Sequence, residues 1–479
     1  MQTTLSGYIK NSAELLRKDI NESQFKLRKI GIEALEIALN AVKPINLIEN
    51  SIRIQDGKLV IQNEVYDLKN KEIIIIGAGK ATAEMLLGME NLLNQISNVN
   101  YKGIINVPEG LDIDFSKFSG KIKINLASHP IPNQKGLDGA KVMMNFLKQT
   151  SQDDLVICLI SGGGSSLLPL PKEGVSLEDL QILNALLLAS GASIHEINAI
   201  RKHLSQFKGG NLAKALYNAS GAKLITLIIS DVVGDNLDSI ASGPTVPDLT
   251  TFQDTITILK KYALIEKIPI SIKNILERGS SDILLENPKA SDPCFKNTSN
   301  YLIGSVASAV QELEKFFITK GFLFEYFNKS IMGEADDFGR NLYSEINHLI
   351  EKLKRDQNAI EKICLIGTGE LTVTVKGKGI GGRNQEMLLS FLDILKNEHI
   401  SYQFLLIGAN LDGIEGNSKA MGALVDNESL KKILQNGIDT KIYLCNNNSN
   451  SFFNQIKDEI ISGPTGCNVN DLLIIIINL

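Results

Sequence analysis

The sequence predicts an α/β protein of two domains, each with a largely parallel sheet flanked by helices. Three observations carry this reading. Short Ile/Val/Leu runs alternate with helix-length amphipathic stretches through most of the 479 residues. The runs are continuous rather than alternating, which is the pattern of strands covered on both faces. The chain is also longer than one core usually serves, and a stretch without periodicity interrupts it.

In chain order the apolar runs lie at 72–76, 103–107, 122–126, 155–160, 223–229 and 300–303, then at 362–366, 403–407 and 471–477. The segments 79–96, 135–149, 208–219, 305–319, 334–354 and 383–397 have helical length and amphipathic spacing. "TVTVKGKG" at 372–379 alternates and predicts a half-exposed strand. "GSSDILLENPKASDPCFKNTSN" at 279–300 is rich in Ser, Pro, Asn and Asp, and the boundary is expected there, giving domains 1–285 and 286–479. Only "NNNSN" at 446–450 is locally biased.

Composition excludes several function classes. With 43% hydrophobic and 22% charged residues the chain is an ordinary globular protein. A net charge of -5 argues against nucleic acid as the main partner, because phosphate-backbone binding needs a basic surface. The five cysteines, at 158, 294, 364, 445 and 467, have no metal-ligand spacing and read as reduced thiols. Lys10, Glu14, Arg17, Lys18 and Asp19 punctuate the first thirty residues, leaving no apolar signal core. "IIII" at 73–76 and "LLIIIIN" at 472–478 fall short of the roughly 18 residues of a membrane helix. A cytoplasmic protein without a membrane partner is expected.

In open α/β sheets ligands gather beyond the carboxyl ends of strands, so the residues after each run are the informative ones. "IIIIGAGKAT" at 73–82 reads as a strand, a turn through Gly77 and Gly79, and a helix. Thr82 stands where a dinucleotide fingerprint has its third glycine, and Ala81 where a Walker A loop has Ser or Thr. Lys80 opposes the helix macrodipole there, a mismatch of roughly 0.3–1 kcal/mol that a bound anion would reverse.

"CLISGGGSSLLPLP" at 158–171 places Gly162, Gly163 and Gly164 between Ser161 and Ser165. Consecutive glycines cost chain entropy, and their N–H groups can line an anion-binding concavity for phosphate or carboxylate. "INAIRKHLSQFKGGNLAKAL" at 197–216 reads by itself as a helix with a solvated basic face. Lys208 beside two glycines nevertheless repeats the arrangement at Lys80, and Arg383 in "GGRNQEMLLSFL" at 381–392 repeats it again. A polyanionic ligand would resolve all three.

"LIISDVVGDNLDSIASGPTVPD" at 227–248 brings Asp231, Asp235 and Asp238 to the exit of an apolar run. Asp235 capping a helix through "NLDSIAS", with Asp238 stabilising its first turn, would explain part of this. Asp231 and Asp235 beside phosphate-binding cations also suit Mg2+, which takes one or two carboxylates plus substrate phosphates. Cations, carboxylates and glycine loops together point to phosphoryl transfer.

These motifs, with "HPIPN" at 129–133, "GEADDFG" at 333–339, "GELTVTVKGKGIGGRNQE" at 369–386 and "GPTGCNVNDL" at 463–472, resemble the ATP-dependent glycerate 2-kinases. That family joins a glycerate kinase N-terminal domain to a C-terminal MOFRL domain, and the likeness covers roughly 25–265 and 300–479. The resemblance implies a Rossmann-like N-terminal domain, a MOFRL-type C-terminal domain and an active site in the interdomain cleft. It implies Lys80, Arg383 and one or both of Asp231 and Asp235 as catalytic residues. Gly77, Gly79, Ser161, Gly162, Gly163, Gly164, Ser165, Lys208, Asn384 and Glu386 are the expected substrate or phosphate ligands. Mg2+ is the expected cofactor, held by Asp231 and Asp235. ATP and D-glycerate are the expected partners, and a homodimer is left open.

"LDGIEGNSKAMG" at 411–422 departs from the family's pattern at Leu411, Glu415, Asn417 and Lys419, residues that could alter acceptor specificity. Asn133 and Asn448 also stand where acids are common. Two other functions compete: an NAD(P)H-dependent hydroxypyruvate reductase, and a non-catalytic nucleotide- or sugar-phosphate-binding regulator on the same fold.

Overall fold

The computed structural model describes residues 7–17, 19–356 and 360–479. Lys18, one of the charges noted near the start of the chain, lies outside them. Two compact units form, one from Pro44–Gly304 and the other from Met1–Lys43 with Ser305–Leu479. The boundary expected within 279–300 therefore moves to Gly304. The strand Thr298–Gly304 completes the first unit's sheet by pairing with Lys223–Ile229. The helix Glu22–Ala41 joins the second unit, where its buried Arg28 reaches Asp426 at 2.6 Å and Asp458 at 2.9 Å.

The first unit opens with a three-stranded antiparallel meander, β1 (Ile52–Gln55), β2 (Lys58–Ile61) and β3 (Glu64–Asp67). A six-stranded parallel sheet follows, from β4 (Glu72–Ala78), β5 (Asn100–Pro108), β6 (Ile122–Ala127), β7 (Leu155–Ile160), β8 (Lys223–Ile229) and β9 (Thr298–Gly304). These are the six apolar runs of this part of the sequence. Their order is β6-β5-β4-β7-β8-β9, so the winding reverses between β4 and β7. Residues 73–76 are at most 2% exposed, as strands covered on both faces must be.

Four helices, Leu177–Ala189, Ile194–His203, Phe252–Lys261 and Ile270–Ser281, of which the sequence reading anticipates only the second, share a separate apolar cluster around Leu183, Leu187, Ile200, Leu259 and Ile272. Three of them start at capping boxes, Ser176 with Asp179, Ser193 with Glu196 and Thr251 with Asp254.

The second unit's sheet comprises β10 (Leu323–Ile331), β11 (Lys362–Gly369), β12 (Gln403–Asn410), β13 (Gly422–Asp426), β14 (Glu459–Ile460) and β15 (Asp471–Asn478), in the order β10-β11-β15-β12-β13-β14. Only β10 and β11 pair in parallel, and the other four pairings are antiparallel. The expectation of a largely parallel sheet fails here. β15 is inserted between β11 and β12 and buried along almost its whole length. Its isoleucine run reports burial on both faces, which is independent of strand direction.

"TVTVKGKG" is not a strand either. Thr372 makes one isolated bridge to Glu334, and the rest is loop. Its backbone N–H groups are met by side chains. The Thr374 amide donates to Glu334, those of Lys376 and Gly377 to Asn447, that of Lys378 to Asn446 and that of Ile380 to Asn448. The asparagine run thus serves this loop as a neighbouring strand would. Among the described residues no helix is long and apolar enough to cross a membrane.

Candidate active site

The reversal between β4 and β7 is a topological switch point, where the connections leave on opposite faces and open a crevice at the strands' carboxyl ends. Lys80 follows β4, the glycine loop follows β7 and Asp231 follows β8, so three neighbouring strands deliver them to one sheet edge. The first two turns interlock. The Lys80 N–H donates to the Gly162 carbonyl at 2.9 Å, and the Ala81 N–H to Ser161 Oγ at 3.0 Å.

The expected ligand residues divide by orientation. A Cβ on Gly77 would lie 2.3 Å from the Leu159 carbonyl oxygen, and one on Gly79 2.0 Å from Ser161 Oγ. Packing of β4 on β7 therefore accounts for both glycines. Ser161, Gly162 and Gly164 are buried. Gly163 and Ser165 line a cavity of about 270 Å³, with Ser166, His129, Arg201 and Lys208. Ser165 Oγ also lies 3.0 Å from Ser242 Oγ.

Sequence reasoning missed His129, Ser166 and Arg201 as cavity residues. Nothing local to "HPIPN" signals a ligand, and Arg201 lies on a helix face whose pattern suggests solvation. Burial and then the charge of Lys80 lower the His129 pKa, which favours the neutral ring.

Gly163 has φ +80, and a Cβ there would sit 2.9 Å from the His129 ring and 3.4 Å from Lys80 Cγ. Gly163→Val is therefore expected to lower stability, by about 1–3 kcal/mol for the strained backbone alone. Chemical denaturation checks this, and a wild-type midpoint would contradict it.

Asp231 and Asp235 are half-buried in the turn after β8, with Asp235 in the left-handed region at φ +55. No α-helix runs through "NLDSIAS"; there is a single 3-10 turn at Ile240–Ser242. Asp238 consequently supports no helix end. It accepts from the buried Lys202 ammonium at 3.0 Å, and Asp248 lies 3.6 Å from the same nitrogen. Asp238→Ala is expected to cost about 1.5–3 kcal/mol, the range for a hydrogen bond to a charged group. Urea unfolding reads this directly, and a loss under about 0.5 kcal/mol, the level of a neutral surface change, would refute it.

Lys208 does not present a free charge at a helix opening. Its ammonium is buried and donates to the Leu168 carbonyl at 2.9 Å. Gly210, at φ +79, is needed because a Cβ would lie 2.8 Å from both Pro288 and the Val246 carbonyl oxygen.

In the second unit the electrostatic oddity at Arg383 disappears. Its Nε and Nη2 donate to the two Asp471 oxygens at 2.5 and 2.8 Å, and Nη1 donates to Glu370 at 2.5 Å. Burial opposes the charge, but the bonds to Asp471 and then Glu370 outweigh it and raise the Arg383 pKa. The opening of the helix Arg383–Leu395 is likewise filled from within. Buried Glu415 accepts from the backbone and side-chain amides of Asn384 and Gln385, all within 3.0 Å.

Asn384 is thereby turned to Glu415. Glu386 is buried and accepts from Asn447 at 3.1 Å, and burial raises its pKa. The departures expected to bear on the acceptor have local roles. Leu411 is fully buried, and Asn417 bonds the Gly379 carbonyl and the Gly381 amide. Asn448 holds the loop at Ile380, and Asn133 caps the helix Gln134–Lys148.

Known proteins share this architecture over nearly its whole length. Residues 32–277 match a domain of unknown function, DUF4147, and residues 363–471 match the MOFRL family. The chain is 37% identical to a glycerate 2-kinase of Pyrococcus horikoshii over 94% of its length and 97% of that protein's. It is 35% identical to a putative hydroxypyruvate reductase of Agrobacterium vitis, over 90% and 93%. The crystal structure of a glycerate kinase from Thermotoga maritima superposes with a TM-score of 0.79 at 35% identity, covering 95% of this chain and all of that one. With both domains matched in order and sequence likeness from end to end, the chain belongs to the glycerate 2-kinase family of DUF4147 and MOFRL domains.

Proposed function

We propose that this chain is a glycerate kinase that transfers the γ-phosphoryl group of ATP to the 2-hydroxyl of D-glycerate, giving 2-phosphoglycerate and ADP. The end-to-end likeness to relatives named glycerate 2-kinase carries the reading. The convergence of Lys80, the loop bearing Gly163 and Ser165, and Asp231 with Asp235 at a sheet switch point supports it. Lys80 would neutralise charge on the transferring group, and Arg383, held charged by Asp471, would act likewise. One of Asp231 and Asp235 would orient the acceptor hydroxyl and receive its proton.

Among the described residues no three His, Cys, Asp or Glu side chains converge as a metal cage. Asp231 and Asp235 fit Mg2+ as the one or two carboxylates it takes when substrate phosphates supply its other ligands. Bound there, the ion would offset the negative charge of the phosphates.

The test is ADP release from ATP, Mg2+ and D-glycerate, with 31P NMR separating the 2- from the 3-phosphate product. The name of the Agrobacterium vitis relative motivates a parallel assay of NADH oxidation by hydroxypyruvate. ADP release without NADH oxidation supports the kinase, and the reverse refutes it. Neither activity would favour the non-catalytic regulator. A cytoplasmic setting and a homodimer complete the proposal, the latter checked by light scattering.

A further inference from the structure

Several other buried or half-buried cations are met by carboxylates, although Lys172 donates to the Leu285 carbonyl and to Asn287. Arg28 faces Asp426 and Asp458, Lys202 faces Asp238 and Asp248, and Arg383 faces Asp471 and Glu370. Arg201 and Lys208 break this pattern. The Lys208 ammonium donates to the Leu168 carbonyl at 2.9 Å, and Arg201 Nε donates to Asn184 Oδ1 at 2.8 Å. Both partners are neutral, and among the described residues no ion pair joins either cation to a carboxylate. Both line the same 270 Å³ cavity. Two like charges at one poorly hydrated site repel each other, and each has lost solvation.

A negative ligand would remove both costs. We infer that this cavity is an oxyanion subsite, in which Arg201 and Lys208 together hold the carboxylate or phosphate end of a substrate. The inference rests on the kinase reading only for the source of that oxyanion, the acceptor's carboxylate or the donor's phosphate. Beyond Nε, Arg201 has four further N–H donors in a planar fork suited to two oxygens at once. Lys208 adds a point charge, and the apolar Leu180, Leu183 and Leu204 beside it lower the local dielectric and strengthen its field.

The titratable groups lining the cavity are Lys208, Arg201 and His129. On the neighbouring elements, Lys202, His203, Asp238 and Asp248 form their own paired cluster. Burial, then the field of Arg201, lowers the Lys208 pKa to about 7. An oxyanion favours the ammonium and raises that pKa again, so binding above pH 7 takes up a proton. In the free protein the sign is opposite. Unfolded Lys208 keeps its proton to about pH 10, so its contribution to stability rises with pH between those limits.

Isothermal titration of the full chain at pH 8, in two buffers of different ionisation enthalpy, tests the subsite with D-glycerate and with inorganic phosphate. At least one anion should bind the wild type with uptake of up to one proton. Arg201→Gln should weaken that binding at least tenfold, and Lys208→Met should abolish the proton uptake. If Lys208→Met fails to fold, Arg201→Gln alone decides. Binding of D-glycerate only assigns the site to the acceptor's carboxylate, and binding of phosphate only to the donor. Wild-type affinity in Arg201→Gln, uptake persisting in Lys208→Met, or no binding of either anion would overturn the subsite. Anion binding that depends on Arg201 without any ADP release would sink the kinase reading and leave the subsite standing.

Discussion

Arg383→Ala is expected to cost about 3–5 kcal/mol of stability, because it breaks a buried ion pair and strands one charge. Asp471 is the charge left behind. Its two oxygens take the guanidinium's Nε and Nη2, and it is almost wholly buried beneath them. Burial already pushes the Asp471 pKa up while Arg383 pulls it down. Nearby Glu415, raised to about 7 by burial and then by Asp471, adds like charge to the same region.

Urea denaturation should show a large fall in midpoint, and Arg383→Ala with Asp471→Leu should recover part of it. A single mutant as stable as the wild type would show that Asp471 finds another partner. Lost activity in Arg383→Ala would then be no measure of catalysis unless the fold is shown intact. The glycines before Arg383 suggest a cation without local partners, and the structure supplies two.

Lys80→Ala is expected to reduce turnover at least 100-fold, the lower range for removing one preorganised group that meets transition-state charge. The Lys80 N–H is held in the turn by the Gly162 carbonyl. Stability should fall by about 1 kcal/mol, the centre of the range for single substitutions. The kcat of the variant with ATP and D-glycerate checks the first half, and its melting curve the second. Turnover within tenfold of wild type would remove Lys80 from the machinery. Because Lys80 also lowers the His129 pKa, the variant's imidazole should titrate higher, an NMR observable independent of activity.

The sequence by itself determined where nine of the described strands lie, but not β1–β3, β10, β13 or β14. All nine continuous apolar runs are strands, because burial on both faces demands an uninterrupted hydrophobic run whatever the pairing. For the same reason it left strand direction undecided: β15 reads like its parallel counterparts but runs antiparallel between β11 and β12. It also located the turns that carry Lys80, Gly163, Ser165 and Asp231, since chain reversals after strands need glycine and short polar residues.

Only the tertiary structure decided what each of those residues faces. Lys202 looked solvated and meets Asp238 and Asp248, Arg383 looked unpaired and meets Asp471, and Arg201 and Lys208 share a cavity without an acid. The partners of Lys202 lie 36 and 46 residues away, and Asp471 is 88 residues from Arg383. Charge balance at a site is a sum over neighbours in space. A local stretch of sequence records the charge but not the partner that the fold brings to it.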